Sequence, residues 1–217
     1  MEPRKDFHQQ LEEMYLELLR MSNRCLELID DTRVAFLDLD GEKAERIIAA
    51  DEEIDDMRYS LEESGIELIA RQAPVAVDLR TIIVIMRLAQ HLERVADLCV
   101  NISKAIINLS GHASLSSWIK ENMDEMFKRS ARMLSCATQA FRDRDLTLAG
   151  ELNEMDEKVD RINRAFLTGF DRDSEEELEL VVRVVLISRF IERIADHAVD
   201  IGEHVRFLVT GSVQEGD

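Results

Sequence analysis

The residues of this sequence best suited to chemistry are carboxylates spaced four residues apart. In an α-helix, each four-residue step turns about 40° and rises about 6 Å, so such side chains lie on one helix face. Four short series have this spacing, two in each half of the chain. They are Asp51 and Asp55; Glu93, Asp97 and Asn101; Asp156 and Asp160; and Glu192, Asp196 and Asp200.

Oxygen ligands arranged in this way predict metal sites. Asp51 and Asp156 occupy positions in the apolar repeat whose neighbours three and four residues away are expected to be apolar or half-buried. Carboxylates gathered there repel each other and resist desolvation unless a cation, a proton or a hydrogen bond compensates them. Sites made only of oxygen atoms suit Mg²⁺, Ca²⁺, Mn²⁺ or iron. Each half could hold more than one ion between two facing pairs.

The alternative is an internal network of ion pairs. Arg58, Arg80, Arg94 and Arg193 could neutralise the same carboxylates. Charged pairs at helical spacing are common, so the spacing alone slightly favours this network. Repetition of the same acids in both halves favours metal without deciding the question, and both interpretations stay open on the residues alone.

Histidines give a weaker signal. His8, His91, His112 and His197 have no partner at ligand spacing in the sequence, and we interpret them as surface residues or as hydrogen-bonded core residues. His204 is the exception, because it lies one four-residue step beyond Asp200.

No motif predicts catalysis. The sequence has no GxSxG, no Gly-rich phosphate loop, no HExxH and no nucleophile paired with a base. No Glu or Asp lies three residues before a histidine, which argues against a ferritin-like di-iron oxidase. We therefore predict that the protein is not an enzyme. The two rival classes are a metal-dependent enzyme that uses the acidic residues and a helical adaptor that needs no metal.

The elements that position these residues are predicted to be helices. Helix-forming residues dominate, with only 2 Pro and 8 Gly, and apolar residues recur at steps of three and four. Pro74 ends the second helix, and Ser174 with Glu177 has the spacing of a capping box before the last. The predicted helices cover residues 6–36, 44–72, 76–109, 114–142, 145–170 and 175–209.

The second half of the sequence repeats the first. A shift of 105 residues aligns Asp51 with Asp156, and a shift of 99 aligns residues 92–97 with residues 191–196. Short connections imply antiparallel neighbours, so each half is predicted to be an up-down-up bundle. The predicted fold is all-α, with two tandem three-helix bundles related by internal duplication. The bundles are predicted to occupy residues 1–110 and 111–217.

Charge and cysteine content exclude several classes of protein. A formal net charge of -18, without a concentrated Lys/Arg run, argues against nucleic-acid binding. Cys25, Cys99 and Cys136 lack CxxC spacing and are predicted to be buried free thiols, which suits a reducing cytoplasm. The chain begins without a signal-peptide core and has no apolar run long enough to span a bilayer, so we expect membrane contact only through partners.

Four segments resemble signatures of the PhoU family. Residues 71–80, RQAPVAVDLR, are similar to the family's RQ-x-PVA-x-DLR connection between helices. Residues 92–97 and 191–197, LERVAD and IERIADH, resemble LERIGD and LERIGDH, and residues 207–211, FLVTG, resemble the usual ending. The segments occur in the family's order, and the likeness covers nearly the whole chain.

The resemblance implies PhoU-like, spectrin-repeat-like bundles that bind divalent or trivalent metal ions (iron, Mn, Mg or Zn) through E(D)xxxD motifs, and it makes metal the favoured interpretation. Asn101 keeps the family's residue, whereas Asp200 replaces the usual Asn, and Ala96 and Ala195 replace the usual Gly. The implied ligands are Asp51, Asp55, Glu93 and Asp97 in one half and Asp156, Asp160, Glu192 and Asp196 in the other.

The resemblance also implies a function. Family members restrain the phosphate ABC transporter, through its ATPase component, when phosphate is plentiful. They also keep the phosphate sensor histidine kinase from activating the starvation response. We therefore expect a cytoplasmic negative regulator of phosphate uptake that forms a homodimer and docks an acidic, metal-loaded surface on these partners.

Overall fold

A computed structural model describes residues 3–109, 111, 114–168 and 178–212. Within these ranges the chain forms α-helices and no β-strand, so the all-α prediction is confirmed. The predicted capping box of Ser174 and Glu177 lies outside the described residues. The helices are α1 Pro3–Asp38, α2 Gly41–Ala49, α3 Asp51–Gln72, α4 Ala76–Leu109, α5 Ser117–Asp143, α6 Leu146–Thr168 and α7 Leu178–Thr210.

The second predicted helix is interrupted at Ala50, where α2 and α3 meet. The N–H of Ala50 donates to the carbonyl oxygens of both Arg46 and Ile47, at 3.1 Å each. A bond to the carbonyl three residues earlier tightens the turn relative to an α-helix. The prediction of one helix over 44–72 is therefore wrong at this point, whereas its counterpart α6 runs without a break.

The turn after the first helix is built alike in both halves. Leu39 has φ 54° and Arg144, its counterpart at a shift of 105, has φ 51°. In each half the next N–H, from Asp40 or Asp145, donates to the carbonyl five residues earlier at 2.9 Å. This pattern is the helix C-cap with one left-handed residue. The internal duplication therefore extends to backbone conformation.

The central helices are α4 and α7, as their nearly all-round apolar composition predicts. Helix α4 contacts α1, α2 and α3, and α7 contacts α5 and α6. Contacts of α4 with α7 and of α1 with α5 join the two halves, so one cluster of buried apolar side chains runs through both. None of the described helices has the length and apolar character needed to cross a bilayer.

Side chains from the two halves also meet directly. Ser22 on α1 and Thr138 on α5 share a hydrogen bond of 2.6 Å, and the rings of Tyr15 and Phe141 stack with centroids 5.3 Å apart. The two-bundle architecture is therefore one packed body, and the predicted boundary between residues 110 and 111 stays a prediction.

The three cysteines are free thiols. Cys25 and Cys99 are buried, and burial raises the pKa of Cys99 to about 12. Cys136 is half-buried on α5. The prediction of free thiols is confirmed, and full burial holds for the first two.

Candidate metal centres

The repeat-1 acidic cluster consists of Asp51 and Asp55 on α3 and Glu93 and Asp97 on α4. These helices contact each other, and all four side chains are half-buried. Burial raises the pKa of Asp51, and the carboxylates of Asp55 and Asp97 raise it further. Burial is also the main cause of the raised pKa of Glu93, with Arg94 opposing it and Asp97 adding to it. The cluster therefore holds negative charge at an electrostatic cost.

The repeat-2 acidic cluster consists of Asp156 and Asp160 on α6 and Glu192 and Asp196 on α7. Glu192 is buried, Asp156 and Asp160 are half-buried, and Asp196 is exposed. Burial, with Asp160 and Asp196, raises the pKa of Asp156 to about 6. Burial, with Asp196, raises the pKa of Glu192 to about 7 against the opposing charge of Arg189. The raised pKa values show that ionising these carboxylates is unfavourable, and a bound cation would offset that electrostatic cost.

Three carboxylate oxygens in these clusters are buried and have no hydrogen-bond partner among the described residues. They are Oε2 of Glu93, Oδ1 of Asp156 and Oε2 of Glu192. A buried oxygen that accepts no hydrogen bond is normally costly, and a metal ion is one group that satisfies it. The donor set, made of carboxylates from two adjacent helices in each repeat, has the chemistry that hard or borderline cations bind. Among the described residues, however, neither cluster brings three of its ligand atoms within 4.8 Å of one another.

The predicted ion-pair network forms only in part. Arg94, itself exposed, lies 3.0 Å from Asp97 and 3.5 Å from Glu93. Arg58 pairs instead with Glu62, at 2.8 Å, and stacks over a tyrosine ring. Neither Arg80 nor Arg193 pairs with a cluster residue in the part of the chain that the structure describes. Arg189, which is not one of the four predicted cations, pairs with Glu192.

The aspartates of both clusters are less well compensated. Asp51, Asp55, Asp156, Asp160 and Asp196 form no ion pair among the described residues. Since most of the clustered negative charge has no guanidinium partner, the ion-pair network alone does not neutralise these side chains.

Asn101 and Asp200, the last members of the predicted series, lie differently from each other. Asn101 is exposed on α4, while Asp200 on α7 is half-buried and faces two imidazoles. Burial is the main cause of the raised pKa of Asp196, with Arg189 opposing it and Asp160 and Asp200 adding to it, so Asp200 borders the repeat-2 acidic cluster as well. Its assignment as a ligand of that cluster stays a prediction.

A histidine cluster lies where α4 meets α7. It contains His91 on α4 with His197, Asp200 and His204 on α7. Nδ1 of His91 is 3.2 Å from Nδ1 of His197, and Nε2 of His91 is 3.2 Å from Nε2 of His204. Oδ2 of Asp200 is 3.6 Å from Nδ1 of both His91 and His197. Among the described residues, only His91, His197 and Asp200 bring three ligand atoms within 4.8 Å of one another.

The sequence does not predict the histidine cluster. The interpretation of His91 and His197 as unpartnered does not anticipate their contact, because the two residues come from different halves of the chain. His204 was the one histidine marked by spacing, and it does join the cluster. His8 is exposed, as expected, and His112 lies outside the described residues.

Comparison with known proteins gives consistent matches over most of the chain. The family model described as PhoU domain matches residues 18–106 and 123–205. A phosphate-specific transport system accessory protein PhoU homolog from Clostridium acetobutylicum is 33% identical, over 96% of this chain and 96% of its own length. PhoU homolog 1 of Methanothermobacter thermautotrophicus is 32% identical, over 95% of this chain and 92% of its own.

A solved structure agrees with the sequence matches. The phosphate transport system regulatory protein PhoU from Streptococcus pneumoniae superposes with a TM-score of 0.88 at 28% identity. The match covers 96% of this chain and 99% of that chain. The similarity therefore extends over both bundles and their arrangement.

Proposed function

The chain belongs to the PhoU family, and from this premise we propose that it is a negative regulator of phosphate uptake that acts through metal-loaded acidic clusters. The observation that carries the proposal is the pair of acidic clusters, which contain one buried carboxylate oxygen in the first repeat and two in the second that lack a hydrogen-bond partner among the described residues. Two relatives named as accessory proteins of the phosphate-specific transport system match almost end to end, which supports the regulatory part.

The metal ions would be held by the two acidic clusters. Asp51, Asp55, Glu93 and Asp97 would bind in the first repeat, and Asp156, Asp160, Glu192 and Asp196 in the second. A divalent or trivalent ion bound in each cluster would supply positive charge. It would cross-link α3 to α4 in the first repeat and α6 to α7 in the second. These side chains then set the charge of the surface between each pair of helices. Iron, Mn²⁺, Mg²⁺ and Zn²⁺ all accept carboxylate ligands, with the hard ions the better match.

The partners would be proteins of the phosphate system. We propose that the chain works in the cytoplasm as a homodimer and binds the ATPase component of the phosphate ABC transporter and the phosphate sensor histidine kinase. A net charge of -18 favours docking against basic partner surfaces. No catalytic step is needed for this role, since occupancy of the partner surface is itself the regulatory event.

Elemental analysis of untagged protein tests the metal part. We expect bound metal in the wild type and at most half as much in a variant carrying Asp97→Asn and Asp196→Asn, which removes one carboxylate from each cluster. The matched control carries Glu45→Gln and Glu157→Gln, two exposed acids outside the clusters. Equal metal content in all three proteins would contradict the proposal.

A phosphate-starvation reporter tests the regulatory part. In a bacterium deprived of its own PhoU, the wild type and the control variant should silence the reporter at high phosphate. The Asp97→Asn, Asp196→Asn variant should leave the reporter active. Pull-down at high phosphate should recover the transporter ATPase or the kinase, and failure to recover either would overturn the partner assignment.

Chelation separates this proposal from its rivals. Partner binding that survives exhaustive chelation would indicate a metal-independent helical adaptor. Turnover of phosphate esters that disappears in Glu93→Ala or Asp196→Ala would indicate a metal-dependent enzyme.

A further inference from the structure

We propose that His91, His197 and Asp200 form a single site for a divalent ion of the Zn²⁺ class at the junction of the two repeats, with His204 positioning His91. This site is separate from the acidic clusters in its chemistry, because it offers two imidazole nitrogens and only one carboxylate. Imidazole ligands select Zn²⁺, Co²⁺ or Ni²⁺ rather than Mg²⁺ or Ca²⁺.

The distances between the ligand atoms match those around one ion. The three edges of the triangle formed by Nδ1 of His91, Nδ1 of His197 and Oδ2 of Asp200 measure 3.2, 3.6 and 3.6 Å. Two ligands about 2.0–2.1 Å from a tetrahedral Zn²⁺ are about 3.3–3.4 Å apart. The triangle therefore has nearly the size of one face of a zinc tetrahedron. The fourth position remains for water or an outside ligand.

Nε2 of His91, the ring nitrogen that does not face the proposed ion, has the hydrogen-bond partner that a metal-binding imidazole normally needs. When Nδ1 of His91 binds an ion, its Nε2 carries a proton and must donate it. Nε2 of His204 lies 3.2 Å away. It can accept that hydrogen bond when the proton of His204 is on Nδ1. Such a partner fixes the tautomer and ring orientation of a metal ligand. His204 is therefore a positioning residue.

The environment of His91 and His204 favours the neutral imidazole. Burial is the main cause that lowers the pKa of His91 to about 4, and burial also lowers the pKa of His204. The exposed Arg87 contributes to lowering both. At neutral pH the lone pair on the unprotonated ring nitrogen of His91 is therefore free to bind an ion.

The histidine cluster is a single-copy feature in a duplicated chain. At the shift of 99 residues, His91 corresponds to Phe190, His197 to Leu98, His204 to Ala105 and Asp200 to Asn101. None of the four residues is repeated in the other half. Duplication of an ancestral repeat explains why there are two acidic clusters, but it does not explain the histidine cluster. A site between α4 of one repeat and α7 of the other is needed only once in the molecule.

Titration of the full chain with Co²⁺ tests the site. Four- or five-coordinate Co²⁺ bound by nitrogen absorbs visible light strongly, whereas six-coordinate Co²⁺ bound only by oxygen absorbs weakly. The wild type should bind one Co²⁺ with the strong absorption, and Zn²⁺ should displace it. A variant carrying Asp55→Asn and Asp160→Asn, one in each acidic cluster, should keep the signal.

Substitutions identify the ligands. His91→Gln and His197→Gln should each weaken Co²⁺ binding more than 100-fold and abolish the strong absorption, while circular dichroism shows retained helicity. His204→Gln should keep the absorption and weaken binding about 10–100-fold, as loss of a supporting hydrogen bond does. His8→Gln is the matched control, because His8 is exposed on α1 and remote in sequence, and it should behave as the wild type.

A second measurement needs no substitution. With ¹⁵N-labelled histidine, one equivalent of Zn²⁺ should shift the ring nitrogen signals of three of the five histidines. Absence of the strong Co²⁺ absorption in the wild type, its persistence in His91→Gln or His197→Gln, or unchanged ring signals with Zn²⁺ would each overturn the proposal.

Discussion

Glu192 is the most buried carboxylate of the two acidic clusters, with 7% of its surface exposed. Its neighbours are Asp156, Asp160 and Asp196, all negative, and Arg189 as the opposing charge. Burial and Asp196 raise its pKa to about 7. In metal-free protein this group therefore favours the folded state at low pH, where it is protonated, and the benefit is lost as pH rises through about 7.

Glu192→Gln should show this effect directly. In chelator-treated protein we expect the substitution to raise the free energy of unfolding by about 1 kcal/mol at pH 8, because glutamine imitates the protonated acid. Near pH 4.5 the substitution should have little effect. Urea unfolding at the two pH values measures the difference.

The exposed Glu157 on α6 supplies the control for this measurement. Comparing each variant with the wild type at the same pH cancels the titration of His91, whose lowered pKa acts in the opposite direction. A Glu192→Gln effect that is the same at pH 4.5 and pH 8 would contradict the electrostatic account of the cluster.

At the scale of elements, α6 and α7 approach each other closely at Gly202. A Cβ built there would lie 2.5 Å from Cδ1 of Leu152 and 3.3 Å from the backbone oxygen of Ala149. The backbone contact leaves little room for adjustment. The counterpart in the first repeat is Ser103, whose buried hydroxyl finds no hydrogen-bond partner in the described part of the chain.

Gly202→Ala should lower the free energy of unfolding by about 1–3 kcal/mol through overpacking. The matched control is Gly150→Ala on α6, where the nearest atom to a new Cβ is 3.8 Å away. That change should stabilise the helix by about 0.5–1 kcal/mol, because alanine loses less backbone freedom. Thermal unfolding of both variants measures the two effects. Equal changes in unfolding midpoint relative to the wild type would refute the close-packing argument.

The left-handed turn at Arg144 gives a second prediction at this scale. Arg144 has φ 51°, a conformation that costs a non-glycine residue about 1 kcal/mol. Arg144→Gly should therefore stabilise the protein by up to about 1 kcal/mol, as measured by urea unfolding. A serine at the same position removes the arginine side chain without relieving the backbone, so Arg144→Ser should not stabilise.

At the scale of the whole molecule, metal binding should act as a global stabiliser. The core is continuous through both repeats, and the acidic clusters each join two of its helices. An ion present at about 100 times its dissociation constant adds about 2.7 kcal/mol to the free energy of unfolding. We therefore expect the unfolding midpoint to rise with added metal and to fall again with chelator.

The Asp97→Asn, Asp196→Asn variant should lose most of this metal-dependent rise in calorimetry. The Glu45→Gln, Glu157→Gln variant should keep it. A midpoint that does not respond to metal in the wild type would argue that the carboxylates are compensated in another way.

The sequence alone predicted most helices and the pairing of acids within each repeat. Four-residue spacing places Asp51 over Asp55 and Glu93 over Asp97 in any α-helix, and the short connection at Pro74 makes α3 and α4 antiparallel neighbours. These features depend on local geometry and on short connections. The break at Ala50 was not predictable in this way, because nothing in the apolar spacing marks a single tightened turn.

The tertiary structure alone decided what lies between the repeats. The contact of His91 with His197 joins residues 106 positions apart and depends on how α4 docks against α7. Helix docking also places Asp200 beside two imidazoles. Within the described ranges it leaves Arg80 and Arg193 without a partner in the acidic clusters. Periodicity states which face of a helix is buried, but it does not state which buried faces meet, since many dockings bury the same apolar area.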